Sequence, residues 1–444
     1  MTALVALHLG AASVLGSLAV PVAAQGTQSP PESSTAGAPL LLTGATVHVG
    51  DGRVVERGQV LVDTKRGTIT FVGPDLESPP GVERVDCAGK HLWPAMIAAN
   101  TVVGLTETES VRATRDFEET GDLTPEVRAD TAFHPDSTLI PVTRSAGIGY
   151  VLAVPSGGLV AGQSALMRLR GWSPSEMVVR APVGLHVHLP SMLVRARKGS
   201  PDAAEKAMKA RAERDRRMHA FERLVLDAKD YVRARDADAK TPYDTRLEAM
   251  RGVISKATRV FVHADALADI QVALDRTRRL DVAMVLVGGY DAPLVAGELA
   301  ARDIPVIIAG VHRLPMHRDD PYDAPFTLPA RLRGLGVRFC IARAGGSFEA
   351  PHERNLPFEA ATAVAYGLDA EVAMSAITSE PARILGAGAI GSIEAGKAAS
   401  LILCSGNPLE LTTKVERMWL DGREVSLDNR HEELRRRYES KSRR

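Results

Sequence analysis

The sequence predicts an α/β protein, a (β/α)₈ TIM-like barrel joined to a small β-sandwich that both chain ends form. Three observations carry this expectation. Short apolar runs alternate with helical stretches through the middle of the chain, the pattern of βα units and a parallel sheet. These runs number eight, at residues 91–97, 149–154, 165–169, 183–188, 259–263, 283–287, 305–309 and 337–342. Segments of period-two alternation with tight-turn signals flank that middle on both sides.

In chain order, residues 1–24 contain no Asp, Glu, Lys or Arg, are rich in Ala, Leu and Val, and end in Val22-Ala23-Ala24. Small residues after an apolar run are a secretory cleavage pattern, with an uncleaved anchor as the alternative, so export to the periplasm or medium is expected. Residues 25–39 are Ser/Pro/Gly-rich and read as a flexible linker. Residues 40–90 hold LLLTGATVHVGDG and GQVLVDTKRGTITFVG, with turns at Asp51-Gly52 and Arg66-Gly67, and form the first part of the sandwich. The barrel occupies 91–395. Within it, 200–251 is a charged helical insertion whose Met218, Phe221, Leu224 and Val225 recur on one face. Residues 396–426, alternating around Asp421-Gly422, complete the sandwich, and 427–444 form a charged tail read as a frayed helix.

A chain of 444 residues with 45% hydrophobic and 24% charged content can bury a large core and a smaller second domain. Lys+Arg and Asp+Glu both number 54, so no global field draws the protein to nucleic acid, and 4% aromatic content offers no stacking platform for bases. Cys87, Cys340 and Cys404 are far apart and outside any CxxC pattern, which reads as buried free thiols. GxSxG, Walker, post-strand GxGxxG and HExxH motifs are missing.

The segment HLWPAMIAANTVVGL resembles the first barrel strand of the amidohydrolase superfamily. VFVHADALADIQVAL and GGYDAPLVAGELAARDIPVIIAG resemble its strands five to seven, and the stretch from VRFCIARAGGSFEAPHERNLPFEAATAVAYGLDA to AASLILCSGNPL resembles the last strand and the return to the sandwich in imidazolonepropionase-like members. The likeness spans about residues 40–426. It implies hydrolysis of non-peptide C–N bonds with one or two divalent ions, zinc foremost, held by imidazoles and carboxylates at strand ends. On these positions the chain carries Asn100 and Val102 where the paired histidines belong, Ala98 for the preceding acid, Gly288-Gly289 near the strand-six histidine, and Ala344 for the catalytic Asp. His263 alone stands at a ligand position.

Residues just past each strand's C-terminal end face the mouth of such a barrel. His186 and His188 lie two apart on one strand face and join His263 as the candidate metal ligands. Candidate ligand-contacting residues are Asn100, Arg112 and Arg115 in the charged loop after strand one, Arg144, Gly158 and Ser164 around a Gly-rich turn, Tyr290 and Asp291 after strand six, His312 after strand seven, and Arg354. His317, Asp319, Asp320 and Asp323 make the strand-seven loop the most polar near the pocket. The expected partner is a small molecule, with a homo-oligomer through residues 200–251 left open. Two functions follow: a hydrolase of non-peptide C–N bonds with an atypical metal site, or a degenerate relative that binds or scaffolds without turnover.

Overall fold

The computed structural model describes residues 37–77, 79–194 and 202–442. The expected signal segment, most of the linker and the first residues of the helical insertion lie outside the described residues.

The chain first lays down β1 (Leu40–His48), β2 (Val54–Asp63), β3 (Thr68–Gly73), β4 (Glu83–Asp86) and β5 (His91–Pro94). Then come β6 (Met96–Thr101), β7 (Ile148–Ala153), β8 (Val160–Gln163), β9 (Ala165–Arg168), β10 (Val178–Arg180) and β11 (Gly184–Val187). They are followed by β12 (Arg259–Ala264), β13 (Met284–Gly288), β14 (Val306–Ala309), β15 (Phe339–Ala342), β16 (Leu401–Cys404), β17 (Val415–Leu420) and β18 (Arg423–Glu424).

The two chain ends meet in one eight-stranded sheet of order β18-β17-β16-β5-β1-β2-β3, with β4 on β1. β16 runs antiparallel to β5, with Ile402 opposite Trp93. Leu42, Val47, Val60, Ile69, Leu401 and Trp419 share one apolar cluster, and along β2 the alternation is visible, with Val60 and Val62 buried between half-buried Gln59, Leu61 and Asp63. Gly67 is required where the ends touch, since it sits at φ +71° and a Cβ there would lie 2.9 Å from the Asp421 carbonyl oxygen.

The remaining strands form the ladders β10-β9-β7-β6 and β15-β14-β13-β12-β11-β8. From β11 to β15 every neighbour is parallel. β13 is buried along its whole length, as expected of parallel strands covered on both faces. Two expectations are corrected here. The run 91–97 is two strands: it breaks at Ala95, leaving β5 in the end sheet and β6 in the ladder with β7. The third strand is longer than predicted and antiparallel to its neighbours, because the six residues 154–159 between β7 and β8 are too few for a parallel crossover. It bends at Ser164, so β8 pairs with β11 and β9 with β7; the Ser164 amide donates to the Gly184 carbonyl at 2.9 Å.

β6 and β15 are pinned to one connecting segment, Ile97 N–H donating to the Ile377 carbonyl (2.8 Å) and Ile341 N–H to the Ala376 carbonyl (2.9 Å). Helices cover the outside: Leu267–Arg279 buries Ile270, Ala273, Leu274 and Thr277, an i, i+3, i+4, i+7 stripe. The insertion holds a 35-residue helix, Ala203–Ala237, and a short one, Thr245–Ala249; the long helix packs through Met218, Phe221, Leu224, Val225, Ala228 and Tyr231. The tail is helical over Arg430–Ser442, and all three cysteines are free and buried. Among the described residues no helix is long and apolar enough to cross a membrane.

Candidate functional site

A cavity of about 580 Å³ opens at the C-terminal ends of β12 to β15. Its wall comes from the residues directly after those strands: His263 and Asp265, Gly288, Gly310 to Met316, and Arg343 to Glu349, with Glu359 from the helix Leu356–Ala365.

On the β11–β12 side the wall is imidazole. His186, fully buried, and His188 lie two apart and so share a face of the strand, and His263 follows on β12. His186 Nδ1 and His263 Nε2 are 3.0 Å apart, and the His188 ring stacks on His263 with centroids 4.0 Å apart. Burial drives the pKa of His186 and His263 far below the ordinary imidazole value, aided by the neighbouring rings, and burial with the Arg217 charge brings His188 to about 4. All three are therefore neutral near pH 7. His186 Nε2 is buried without a partner, and a bare lone pair there costs less than an unsatisfied N–H. Hydrogen-bond economy thus puts the proton on His186 Nδ1, which donates to His263 Nε2, leaving the His263 proton on Nδ1.

On the β14–β15 side the wall is charged and crowded with partners. The Arg343 guanidinium, 9% exposed, donates to Glu359 Oε1 at 2.5 Å and pairs with Glu349. Glu359 Oε2 accepts the backbone N–H groups of Val311 (2.6 Å) and His312 (2.8 Å), and His312 Nε2 meets the Thr362 hydroxyl at 2.6 Å. Arg313 donates to Asp265 Oδ1 at 3.1 Å and lies 5.3 Å over the Tyr290 ring. The Tyr290 hydroxyl donates to Asp320 Oδ2 at 2.6 Å, and His317 Nε2 sits 2.9 Å from Asp291. These contacts tie the strand-seven loop to the wall. Beneath them Glu353 is wholly buried with neither carboxylate oxygen hydrogen-bonded; burial pushes its pKa up to about 8, against the pull of the Thr101 hydroxyl and the Arg343 charge.

Of the residues singled out from the sequence, His263 and His312 line the cavity, and His186 and His188 back His263. Asn100 turns its amide N–H to the Arg343 carbonyl at 3.0 Å. Tyr290 and Asp291 hold the strand-seven loop. The others have local structural partners. Arg112 lies exposed in a short 3₁₀ turn, Arg115 pairs with Glu118 at 2.5 Å, and Arg144 reaches the Leu169 carbonyl at 3.1 Å. Gly158 lets the chain pass the Gly121 and Asp122 carbonyls, the Ser164 hydroxyl bonds the Gly184 carbonyl, and Arg354 approaches Pro351 and His431. Sequence reading missed Asp265, Arg313, Arg343, Glu349, Glu353 and Glu359. The first three stand one to four residues past a strand end, a signal that reaches them; the three glutamates come from a 3₁₀ turn and a helix brought back over the mouth.

The residues do not fit a divalent ion. Two imidazole nitrogens approach each other and are satisfied by one hydrogen bond, and among the described residues no group of three His, Cys, Asp or Glu side chains is placed to hold a metal. Catalytic zinc needs three protein donors. The positions that would supply more carry the committed Asn100 amide, buried Val102, Gly288 and Ala344.

A polar cavity at the C-terminal ends of parallel strands is the usual place for a small-molecule site in α/β folds. No family model matches the chain. It is 23% identical over 403 residues to amidohydrolase tasK of Hapsidospora irregularis, covering 82% of this chain and 39% of that protein, so it spans about two fifths of the relative's length. An amidohydrolase structure from Thermotoga maritima MSB8 superposes with a TM-score of 0.75 at 27% identity, covering 87% of this chain and 99% of the other. A zinc-bound adenosine deaminase from Xanthomonas campestris shares the fold at TM-score 0.50 and 16% identity, covering 91% and 98% of the two chains. In sequence and in fold the chain is similar to amidohydrolases.

Proposed function

We propose that the protein hydrolyses a carbon–nitrogen bond, other than a peptide bond, in a small molecule seated in the mouth cavity. The observation that carries this reading is a cavity of about 580 Å³ whose wall combines guanidinium donors, four carboxylates and imidazoles at the ends of neighbouring parallel strands. Hydrolysis adds water to the carbonyl carbon, breaks the C–N bond and releases the nitrogen as a protonated amine. Glu349 is the carboxylate suited to take the proton from water. Its Oε2 is held by Arg343, its Oε1 has no hydrogen-bond donor among the described residues, and its side chain is 33% exposed in the wall.

A second reading, binding without turnover, is favoured by Asn100 facing a backbone carbonyl and by Ala344 at the position of the family's catalytic Asp. One experiment separates the two. Purified protein is incubated with a panel of linear amides, cyclic amides and ureas, and amine release and calorimetric binding are measured together. Turnover of at least one compound, abolished in Glu349→Gln, supports the hydrolase; saturable binding without product assigns the second reading. Export is proposed on the uncharged apolar leader, and protein from the native host should begin near Gln25.

A further inference from the structure

We infer that this mouth works without a bound divalent cation, and that Arg313 supplies the positive charge it offers to a ligand's oxygen. The second half rests on the proposed function; the first stands by itself.

Most of the donors that a cation would need are spent within the protein; His186 Nε2, His188 Nε2 and Glu349 Oε1 lack partners, but no group of three ligating side chains converges among the described residues. His186 Nδ1 and His263 Nε2 are bonded to each other at 3.0 Å. Four carboxylates line the cavity, and each already accepts from a protein donor. Asp265 accepts from Arg313 and the Tyr290 N–H, and Asp269 from the Ser191 hydroxyl and the Met192 N–H. Glu349 pairs with Arg343, and Glu359 accepts from Arg343 and two backbone N–H groups. At each of these carboxylates a metal ion would compete with a guanidinium or an existing hydrogen bond. Positive charge is also in place: the loops after β14 and β15 put Arg313 and Arg343 on the same wall.

The two arginines differ in what they have left to give. Arg343 is nine-tenths buried with both terminal nitrogens on carboxylates. Arg313 keeps a side chain 29% exposed in the cavity wall and spends Nη1 on Asp265. The Tyr290 ring 5.3 Å below fixes its plane. A guanidinium has five N–H donors in a rigid fork, so a planar fork remains for a carbonyl or carboxylate oxygen. That is the electrostatic task a Lewis acid performs elsewhere, done by a fixed organic cation.

The test has two independent arms. Protein purified without chelator or metal-affinity resin is analysed for metal by mass spectrometry, then titrated calorimetrically with Zn²⁺ and with Mn²⁺, alongside His263→Ala. The expected result is well under one equivalent of metal and no saturable site that His263→Ala removes. Near-stoichiometric metal that disappears in His263→Ala would overturn the first half. In the second arm N-acetylglycine, which carries both amide and carboxylate oxygens, is the probe. Its Kd should rise tenfold or more in Arg313→Gln and only partly in Arg313→Lys, with thermal melts showing both variants folded. An unchanged Kd in Arg313→Gln overturns the role of Arg313. If wild-type protein binds neither N-acetylglycine nor any compound of the amide panel, the proposed function fails and the Arg313 assignment with it, while the metal arm still decides the first half.

Discussion

The two sides of the mouth bury polar groups in opposite ways. Along β11 and β12 three imidazoles, His186 buried and His188 and His263 half-buried, stand as neutral rings, with one hydrogen bond, one ring stack, and two ring nitrogens, on His186 and His188, left without partners. Along β14 and β15 the Arg343 guanidinium is held by Glu349 and Glu359, and Glu359 also accepts from two backbone N–H groups. A weak base can escape the cost of burial by shedding its proton, whereas arginine cannot and must be paired. The first side therefore tolerates loss of a partner, and the second does not. Stored charge makes the β14–β15 side the place where electrostatic recognition is available, and the imidazole side a neutral, polarizable backing to the same cavity.

The largest expected effect comes from breaking the charged side. Arg343→Met leaves Glu359 buried with an uncompensated charge and should cost about 3–5 kcal/mol in urea unfolding. Adding Glu359→Gln should recover part of that loss, and a loss below about 1 kcal/mol in the single variant would show that the pair is not buried as described.

Next comes Glu353. Its pKa, pushed from an ordinary 4.5 to about 8, means that the folded chain holds a proton which the unfolded chain releases between those values. Stability contributed by this group is full below pH 4.5 and is lost as pH rises toward 8, at about 1.4 kcal/mol per pH unit where only the folded chain is protonated. Glu353→Gln should flatten that slope. Equal pH dependence of wild type and variant between pH 5 and 8 would remove the buried protonated acid from the picture.

The smallest effect tests the neutral side, with the opposite sign. His188, at about 4 when folded against an ordinary 6.5, takes up a proton more readily in the unfolded chain, so stability is lost as pH falls from 6.5 toward 4. His188→Leu should shrink this acid loss, which approaches about 1.4 kcal/mol per pH unit between those values, while changing little at pH 7. Thermal melts across pH 4–7 read the difference.

Much of the architecture was legible because burial writes itself into periodicity. The apolar runs at 259–263, 283–287, 305–309 and 337–342 became β12 to β15 with ends shifted by a residue or two. Met218, Phe221, Leu224 and Val225 were recognisable as the packed face of the long helix. The third strand was misread because periodicity reports which residues are buried and is silent on direction; only the short link 154–159 held that information. At the site, His186, His188 and His263 were found by strand position. Arg115, Arg144 and Arg354 were chosen by residue type alone, and type cannot tell a ligand-facing guanidinium from one serving a neighbouring carboxylate or carbonyl.

What the sequence by itself determined was therefore local and repetitive: which segments are strands, which helix face is apolar, and which strand ends carry imidazole. Tertiary structure alone decided which charges meet. Glu349, Glu353 and Glu359 lie 6, 10 and 16 residues beyond Arg343 in the chain, and Val311 and His312 lie on another loop, yet the fold closes them around one guanidinium. Their pairing depends on distances of 3 Å across separate strand ends, and Coulomb and hydrogen-bond energies fall off too steeply with distance for sequence order to record them.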